Sequence, residues 1–174
     1  MTTESKRPEH RDQPRVVMRE PGSARGTWAM ASLFEHLIEA PESGGSLDVA
    51  LVTQPVGVAT PLHRHTREAE AFFLLDGQVD YRAGDELFEL YAGCFLFLPR
   101  GVPHAFRIRG DAPARFLALA APGGLFGLYD EIGIPALELR LPGPDGLTPE
   151  VEIPRWAEIG PRYGLEVVGP PLPE

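Results

Sequence analysis

The sequence predicts an all-β fold, a small β-barrel followed by a short helical extension. Turn-forming residues are abundant, with 19 Gly and 19 Pro among 174 residues, which favours many short strands over a helical bundle. Residues 46–121 contain short apolar runs of strand length, separated by turn signals such as Asp76-Gly77. Histidines two positions apart in one of these runs would share one face of a strand. A chain of this length forms about one domain.

The strands of the barrel are predicted by these apolar runs. They lie at about 46–54, 61–65, 70–75, 77–82, 86–89, 95–98, 103–109 and 114–121. The dipeptide Asp76-Gly77 is a strong hairpin signal between two of them. Further reversals of the chain are expected at Gly84-Asp85 and at Ala92-Gly93.

Residues 26–40 precede the barrel strands and have an ambiguous pattern. The spacing of Leu33 and Leu37 suits one face of a helix, whereas the alternation of Phe34 and Ile38 around a central histidine suits a strand. The pattern alone leaves both interpretations open.

The two ends of the chain are predicted to differ from the barrel. Residues 1–24 are polar and carry three prolines, which indicates a flexible N-terminal arm. Residues 122–174 are expected to form a C-terminal helical extension and tail. Within this extension, residues 125–132 have helical spacing and residues 135–144 are interpreted as a loop.

A second helix is predicted further along the extension. Thr148 is a candidate N-cap, with Pro149 at the first helical position and acidic residues in the first turn. Gly164 is the predicted C-terminal stop. Because Pro154 and Pro161 fall between these ends, short turns are expected there instead of one long helix.

Four residues indicate a metal site: His63, His65, Glu70 and His104. In an extended strand His63 and His65 would project together, so they could bind one ion with paired imidazoles. Imidazole nitrogen with carboxylate oxygen suits Fe, Ni, Mn, Co or Zn and is too rich in nitrogen for Mg or Ca. Glu68 is a competing candidate for the carboxylate ligand.

The spacing around these residues matches two motifs of a known family. The first motif is Gly-x5-His-x-His-x3–4-Glu-x6-Gly, and it matches Gly57, His63, His65, Glu70 and Gly77. The second is Gly-x5-Pro-x-Gly-x2-His-x3-Asn, and it matches Gly93, Pro99, Gly101 and His104, with Ile108 in place of the final Asn. The chain therefore resembles a cupin. Its C-terminal part is similar to that of single-domain quercetin 2,3-dioxygenase-like cupins.

The resemblance has consequences for the fold. It implies that residues 25–121 form the cupin double-stranded β-helix, a jelly-roll barrel. The two metal motifs would lie at 57–77 and at 93–108. For residues 26–40 the resemblance favours strands, because related chains place a strand that contains a tryptophan there.

The resemblance also assigns roles at the site. It implies that one divalent transition metal is bound by His63, His65, Glu70 and His104. Glu70 is favoured over Glu68 because it alone leaves six residues before Gly77. In quercetinase-like members the carboxylate could be both a metal ligand and a general base, which makes Glu70 the candidate catalytic residue.

A metal-dependent dioxygenase of a phenolic or enolic small molecule is the leading functional hypothesis. Four protein ligands on a six-coordinate metal leave open positions for substrate and for dioxygen or water. A flat apolar substrate would contact residues at the barrel mouth such as Phe72, Leu74, Phe97 and Phe106. Two alternatives stay open: a zinc-dependent cyclase or isomerase of the polyketide-pathway type, and a non-enzymatic module that binds a small molecule.

The composition of the chain argues against nucleic acid and membranes as partners. A net charge of −9 argues against nucleic acid and against anionic membrane surfaces, and no apolar stretch is long enough to span a bilayer. The N-terminus lacks the apolar core of a signal peptide, so a cytoplasmic location is expected. The single cysteine, Cys94, excludes an intramolecular disulfide and is interpreted as a small buried residue. His10 and His36 are interpreted as ordinary surface or core residues.

Assembly is the last expectation. Small cupins commonly pair through a sheet, so a homodimer is predicted, with an apolar interface that includes part of the segment from Trp28 to Ile38. The alternative is that this segment covers its own barrel.

Overall fold

The computed structural model describes residues 14–143 and 149–173. The predictions for residues 1–13 of the N-terminal arm, for His10 and for the N-cap at Thr148 lie outside the described residues. Within the described part, no helix is long and apolar enough to cross a membrane.

The described residues are mostly in short strands. These strands are β1 (Arg25–Ala29), β2 (Ser32–Ile38), β3 (Asp48–Gln54), β4 (Pro61–His65), β5 (Ala69–Asp76), β6 (Gln78–Ala83), β7 (Glu86–Tyr91), β8 (Phe95–Leu98), β9 (His104–Arg109), β10 (Ala114–Ala121), β11 (Ile134–Pro135) and β12 (Leu165–Pro171). The helices are α1 (Ala40–Ser43), α2 (Gly127–Ile132) and α3 (Pro149–Ile159), and α3 continues into a 3₁₀ turn at Gly160–Tyr163. Each of the eight barrel strands predicted from the sequence coincides with one of β3 to β10.

The strands form two antiparallel sheets. The order of the seven-stranded sheet is β11-β1-β2-β3-β10-β5-β8, and that of the five-stranded sheet is β12-β4-β9-β6-β7. Alternate residues of β3 and β10 are buried, which places one face of the larger sheet against the interior. The predicted all-β jelly-roll with a short C-terminal helix is confirmed.

The hairpin between β5 and β6 shows why the first motif ends on glycine. Gly77 has φ 86°, a left-handed conformation that favours glycine. A Cβ atom at this position would lie 2.6 Å from Cα of Ala114, which no side chain could tolerate without moving the backbone.

Residues 26–40 form strands, as the family resemblance favoured. The turn between β1 and β2 places Met30 and Ala31 at φ 51° and 56° although neither is glycine. The buried carboxylate of Glu152 in α3 accepts hydrogen bonds from both backbone N–H groups, at 2.7 and 3.1 Å. A residue far along the chain therefore stabilises a turn whose own sequence has no turn signal.

Much of the segment around Trp28, part of which was predicted to contribute to a homodimer interface, is buried within the chain. Trp28, Leu33 and Phe34 are buried within their own chain, at 2%, 2% and 4% exposed. The alternative interpretation is correct for these residues, since they belong to the interior of the same molecule.

The C-terminal extension differs from its prediction in two respects. It ends in β12, which pairs with β4, whereas only a tail was expected at 165–171. Pro170 and Pro171 suggest a loop, but proline is tolerated on an edge strand. In addition, α3 continues through Pro154 as one helix of 11 residues, and Gly164 ends the following turn at φ 82°.

Cys94 is only partly buried, which corrects the prediction that it is a buried residue.

Candidate metal centre

The four predicted residues lie together inside the barrel and come from both sheets. His63 and His65 are on β4, and His104 begins β9, directly opposite His63 in the register of the five-stranded sheet. Glu70 is on β5 of the seven-stranded sheet and reaches the histidines from the other side of the interior. All four side chains are buried, with exposures from 2% to 7%.

Side chains along β4 point alternately inward and outward, which explains the placement of the two histidines. His63 and His65 point inward, while Arg64 between them is exposed and pairs with Glu166 of β12 on the outer surface, at 2.6 Å. The parity of an extended strand therefore determines which side chains reach the interior. This part of the site follows from the sequence pattern directly.

The donor atoms of the four residues converge. One ligand atom from each residue lies within 4.8 Å of all the others. Oε2 of Glu70 is 3.0 Å from Nε2 of His65 and 3.1 Å from Nε2 of His104. These three atoms nevertheless have no hydrogen-bond partner. Buried polar atoms that approach without bonding one another suit a cation between them.

The spacing of these atoms also fits a metal ion. Two ligand atoms bonded at a right angle to one ion, each at about 2.1 Å, are separated by about 3.0 Å. The two distances from Glu70 are close to that value. The donor set of three imidazoles and one carboxylate therefore fits a divalent transition metal in both chemistry and spacing.

Two of the histidines are oriented by the backbone. Nδ1 of His63 donates to the carbonyl of Pro61 at 2.8 Å, and Nδ1 of His104 donates to the carbonyl of Val102 at 3.0 Å. Because a carbonyl only accepts, the proton must be on Nδ1 in each ring. Nε2 is then left as a lone-pair donor that faces the cluster, as a metal ligand requires.

Glu68 lies on the far side of His65 from the cluster. It is 3% exposed, and its Oε2 is 3.8 Å from Nδ1 of His65. Both atoms lack hydrogen-bond partners. Glu68 is therefore placed to orient the ring of His65, while Glu70 takes the position among the converging donors.

The charges at the site are strongly coupled. Burial alone would raise the pKa of Glu70, but His65 and His104 outweigh this effect and hold its pKa well below the usual range. Burial alone would lower the pKa of His65, yet the Glu70 carboxylate leaves that pKa raised. Burial lowers the pKa of His63 well below its usual value, and the neighbouring His104 and His65 lower it further. Glu70 is thus a carboxylate and His63 a neutral imidazole at neutral pH.

A cavity of about 40 Å³ adjoins His63, Glu70 and His104. Its walls are mostly aromatic and include Phe34, Phe72, Tyr81, Phe106, Phe116, Phe126, Tyr129 and Trp156. Burial raises the pKa of both tyrosines well above the ordinary value, so their hydroxyl groups stay protonated. The cavity is thus lined by neutral groups, apart from the cluster itself.

Of the four residues that were predicted to contact a substrate at the barrel mouth, two line the cavity. Phe72 and Phe106 line the cavity beside the cluster. Phe97 is 56% exposed on the outer face of the sheet, because it is paired with Ala71 and has the opposite parity to Phe72. Leu74 lies deeper, in a separate apolar pocket that shares Phe72 and Phe106 with the cavity.

Trp156 was missed by the sequence analysis. It is 1% exposed, and its ring packs edge-on against that of His63, with centroids 4.7 Å apart. It packs on the cluster through His63 from α3, a helix whose position beside the barrel could not be predicted from the sequence pattern. Gln54 and Tyr81 were also missed, since nothing in their spacing distinguishes them from other residues of a strand.

Comparison with known proteins identifies the central part of the chain. Residues 50–120 match the family model of the cupin domain. This part of the chain is similar to cupin domains. All four clustered residues fall within it, and this confirms the resemblance that was inferred from the two motifs.

Two known proteins are similar to part of the chain. Quercetin 2,3-dioxygenase of Bacillus subtilis is 29% identical over 93 residues, which are 53% of this chain and 27% of that protein. An uncharacterised protein of Methanocaldococcus jannaschii is 32% identical over 77 residues, which are 44% of this chain and 60% of that protein. The chain thus spans less than two thirds of the length of either relative.

A solved structure supports the cupin fold. A protein described as a predicted oxalate decarboxylase, from Thermotoga maritima, has a TM-score of 0.54 and 20% sequence identity. The match covers 62% of this chain and 99% of that one. At this identity the likeness concerns the fold alone.

Proposed function

We propose that this protein is a metal-dependent cupin enzyme, a dioxygenase of a small phenolic or enolic molecule. One observation carries the proposal: four buried donor atoms from two sheets converge beside an aromatic cavity without bonding one another. A group of this kind would be costly to bury unless it bound a cation. Three imidazoles and one carboxylate suit Fe, Ni, Mn, Co or Zn.

The ligand count favours catalysis over a purely structural role. A structural metal site is closed by protein ligands, whereas a catalytic site keeps at least one position open. His63, His65, Glu70 and His104 would leave positions open on a six-coordinate ion. When bound, the metal supplies a Lewis acid that makes a coordinated hydroxyl group more acidic.

Glu70 is the proposed general base. Its carboxylate is ionised because the neighbouring histidines depress its pKa. It is 7% exposed, so bulk water does not compete for its oxygens. An Oε atom of Glu70 would accept the hydroxyl proton as the substrate binds. The aromatic walls would hold a flat ring and exclude water from the reacting atoms.

The size of the cavity limits the substrate. A volume of about 40 Å³ is far below the roughly 300 Å³ of a pocket that encloses a drug-sized ligand. A flavonol, as the name of the Bacillus subtilis relative suggests, would enter only if α3 and its Trp156 moved away. A ligand with one ring requires less displacement, and we propose this smaller class first.

The test combines metal analysis with oxygen uptake. Protein purified without a histidine tag is expected to hold about one divalent transition metal per chain, and a His63→Ala/His65→Ala double variant is expected to lose it. Replacing His36, which is buried away from the cluster and hydrogen-bonded to Thr27, should leave metal content unchanged. Stoichiometric metal in the double variant would disprove the ligand assignment.

Oxygen uptake then distinguishes the reaction types. A panel of catechol, 3-hydroxy-2-methyl-4-pyrone and a flavonol is expected to include a substrate consumed with equimolar dioxygen. Turnover under strict anaerobiosis would instead favour a zinc-dependent cyclase or isomerase. Binding without turnover in either atmosphere would favour a non-enzymatic module, seen as a rise in melting temperature with ligand.

We also propose that the chain forms a homodimer through the outer face of the seven-stranded sheet. Phe73, Phe95 and Phe97 lie side by side on β5 and on the edge strand β8, and are 37%, 62% and 56% exposed. At about 200 Å² for each side chain, they expose roughly 300 Å² of apolar surface. This is a substantial part of the about 800 Å² that each partner buries in a standard interface. A second copy would cover this patch and the unpaired edge of β8 together.

A further inference from the structure

Three buried polar side chains at the cavity have an atom without a hydrogen-bond partner. These atoms are Nε1 of Trp156, the hydroxyl of Tyr81 and Oε1 of Gln54. The residues are 1%, 2% and 3% exposed, and they come from α3, β6 and β3. All three line the same cavity as His63, Glu70 and His104.

Some comparable groups of the interior are paired, although Nδ1 of His36, away from the cavity, is not. Nε1 of Trp28, the other tryptophan, donates to the carbonyl of Arg140 at 2.8 Å. The hydroxyl of Thr60, which also lines the cavity, accepts from N–H of Phe106 at 3.1 Å. Buried polar groups are ordinarily paired in this way. The unpaired groups of Trp156 and Tyr81 are therefore exceptions that lie next to the site, in a cavity with otherwise mostly apolar walls.

Trp156 and Tyr81 lie beside the two histidines that face one another across the sheet. The ring of Trp156 is 4.7 Å from that of His63, and the ring of Tyr81 is stacked over that of His104 at 6.0 Å. The two histidine rings are themselves 4.2 Å apart. A molecule held at the cluster would therefore lie close to both the indole and the phenol.

The hydrogen-bonding capacity of these groups defines what they can bind. An indole N–H only donates, so the partner of Trp156 must be an acceptor. A phenol hydroxyl donates or accepts and can bind the same oxygen or a neighbouring one. If an ion held by the four clustered residues bound one oxygen of an enol or phenol, Trp156 and Tyr81 would be left to donate to a second one.

Building on the proposed function, we propose that Trp156 and Tyr81 bind a second oxygen of the substrate, adjacent to the oxygen on the metal. The substrate class is then a planar enol or phenol with an acceptor oxygen next to its hydroxyl, as in a 3-hydroxy-4-pyrone. The unpaired Oε1 of Gln54 would accept from an N–H or O–H substituent of the same ligand. A simple phenol, with one oxygen, leaves Trp156 unpaired.

The test measures binding without turnover. Metal-loaded protein is titrated under anaerobic conditions with 3-hydroxy-2-methyl-4-pyrone and, as the matched probe without a second oxygen, with phenol. Trp156→Phe and Tyr81→Phe are each expected to weaken pyrone binding about tenfold, the value of one good hydrogen bond, and to leave phenol binding unchanged. Trp28→Phe is the control, because its indole N–H is paired outside the cavity. It should lower the melting temperature of the protein and leave pyrone affinity unchanged.

Metal content is measured on every variant and shows that the site is assembled. Tyr81→Phe removes a single oxygen, so it tests the proposal even if Trp156→Phe does not fold. Equal pyrone affinity in wild type and both variants would overturn this proposal while leaving a metal-dependent oxygenase intact. Failure of the metal-loaded wild type to bind pyrone would overturn it together with the proposed substrate class.

Discussion

Glu152→Ala is expected to destabilise the protein strongly, because it removes two hydrogen bonds from buried backbone groups. The carboxylate of Glu152 is 1% exposed and accepts from N–H of Met30 and of Ala31. Each N–H left unpaired in the interior costs about 1–3 kcal/mol, so the free energy of unfolding should fall by about 2–6 kcal/mol. For a chain of this length that corresponds to a decrease in melting temperature of roughly 4–24 °C.

The assay is thermal unfolding followed by circular dichroism, with two comparison variants. Glu152→Gln keeps one carbonyl oxygen as an acceptor and should lose about half as much stability. Glu158→Ala changes an exposed residue of the same helix and should have an effect within about 0.5 kcal/mol. A loss below about 1 kcal/mol for Glu152→Ala would refute the reasoning, since it would mean that the β1–β2 turn does not depend on α3.

Three further predictions concern the site and the assembly. Glu70→Gln should lower turnover at least about 100-fold and metal content much less, because glutamine offers an oxygen to the ion but cannot take the substrate's proton. Equal losses of turnover and of metal content would contradict a role of Glu70 as general base. In a metal titration, Glu68→Gln should weaken metal affinity about tenfold, because it removes the carboxylate beside Nδ1 of His65. Glu166→Gln, on the outer face of β12, is the control and should leave metal affinity unchanged. Phe97→Glu should convert the dimer to a monomer in light scattering at micromolar concentration, and a wild-type monomer under these conditions would exclude the proposed interface.

The parity of the strands made much of the site predictable. His63 and His65 are two residues apart, so any extended conformation puts them on one face. The positions of Glu70 and His104 could not be predicted from strand parity. They lie on β5 and β9, in different sheets, and only the motif spacing of a known family indicated that these strands would meet.

The unpredicted parts of the structure depend on contacts between distant residues. The turn at Met30 and Ala31 contains no glycine or asparagine, and its positive φ angles are stabilised by a carboxylate about 120 positions away. The strand β12 has prolines that suggest a loop, but its pairing with β4 decides its conformation. Local pattern carries no information on either contact.

The C-terminal extension contributes residues to the candidate site itself, in addition to packing against the barrel. Leu165 and Val167 of β12 are paired in register with His65 and His63 of β4. The preceding helix α3 carries Trp156 onto the ring of His63. Only a short 3₁₀ turn and Gly164 join the helix to the strand. A displacement of α3 that admits a larger ligand would therefore act directly on the strand beside both histidines, so access to the cavity and the positions of the metal ligands are structurally linked.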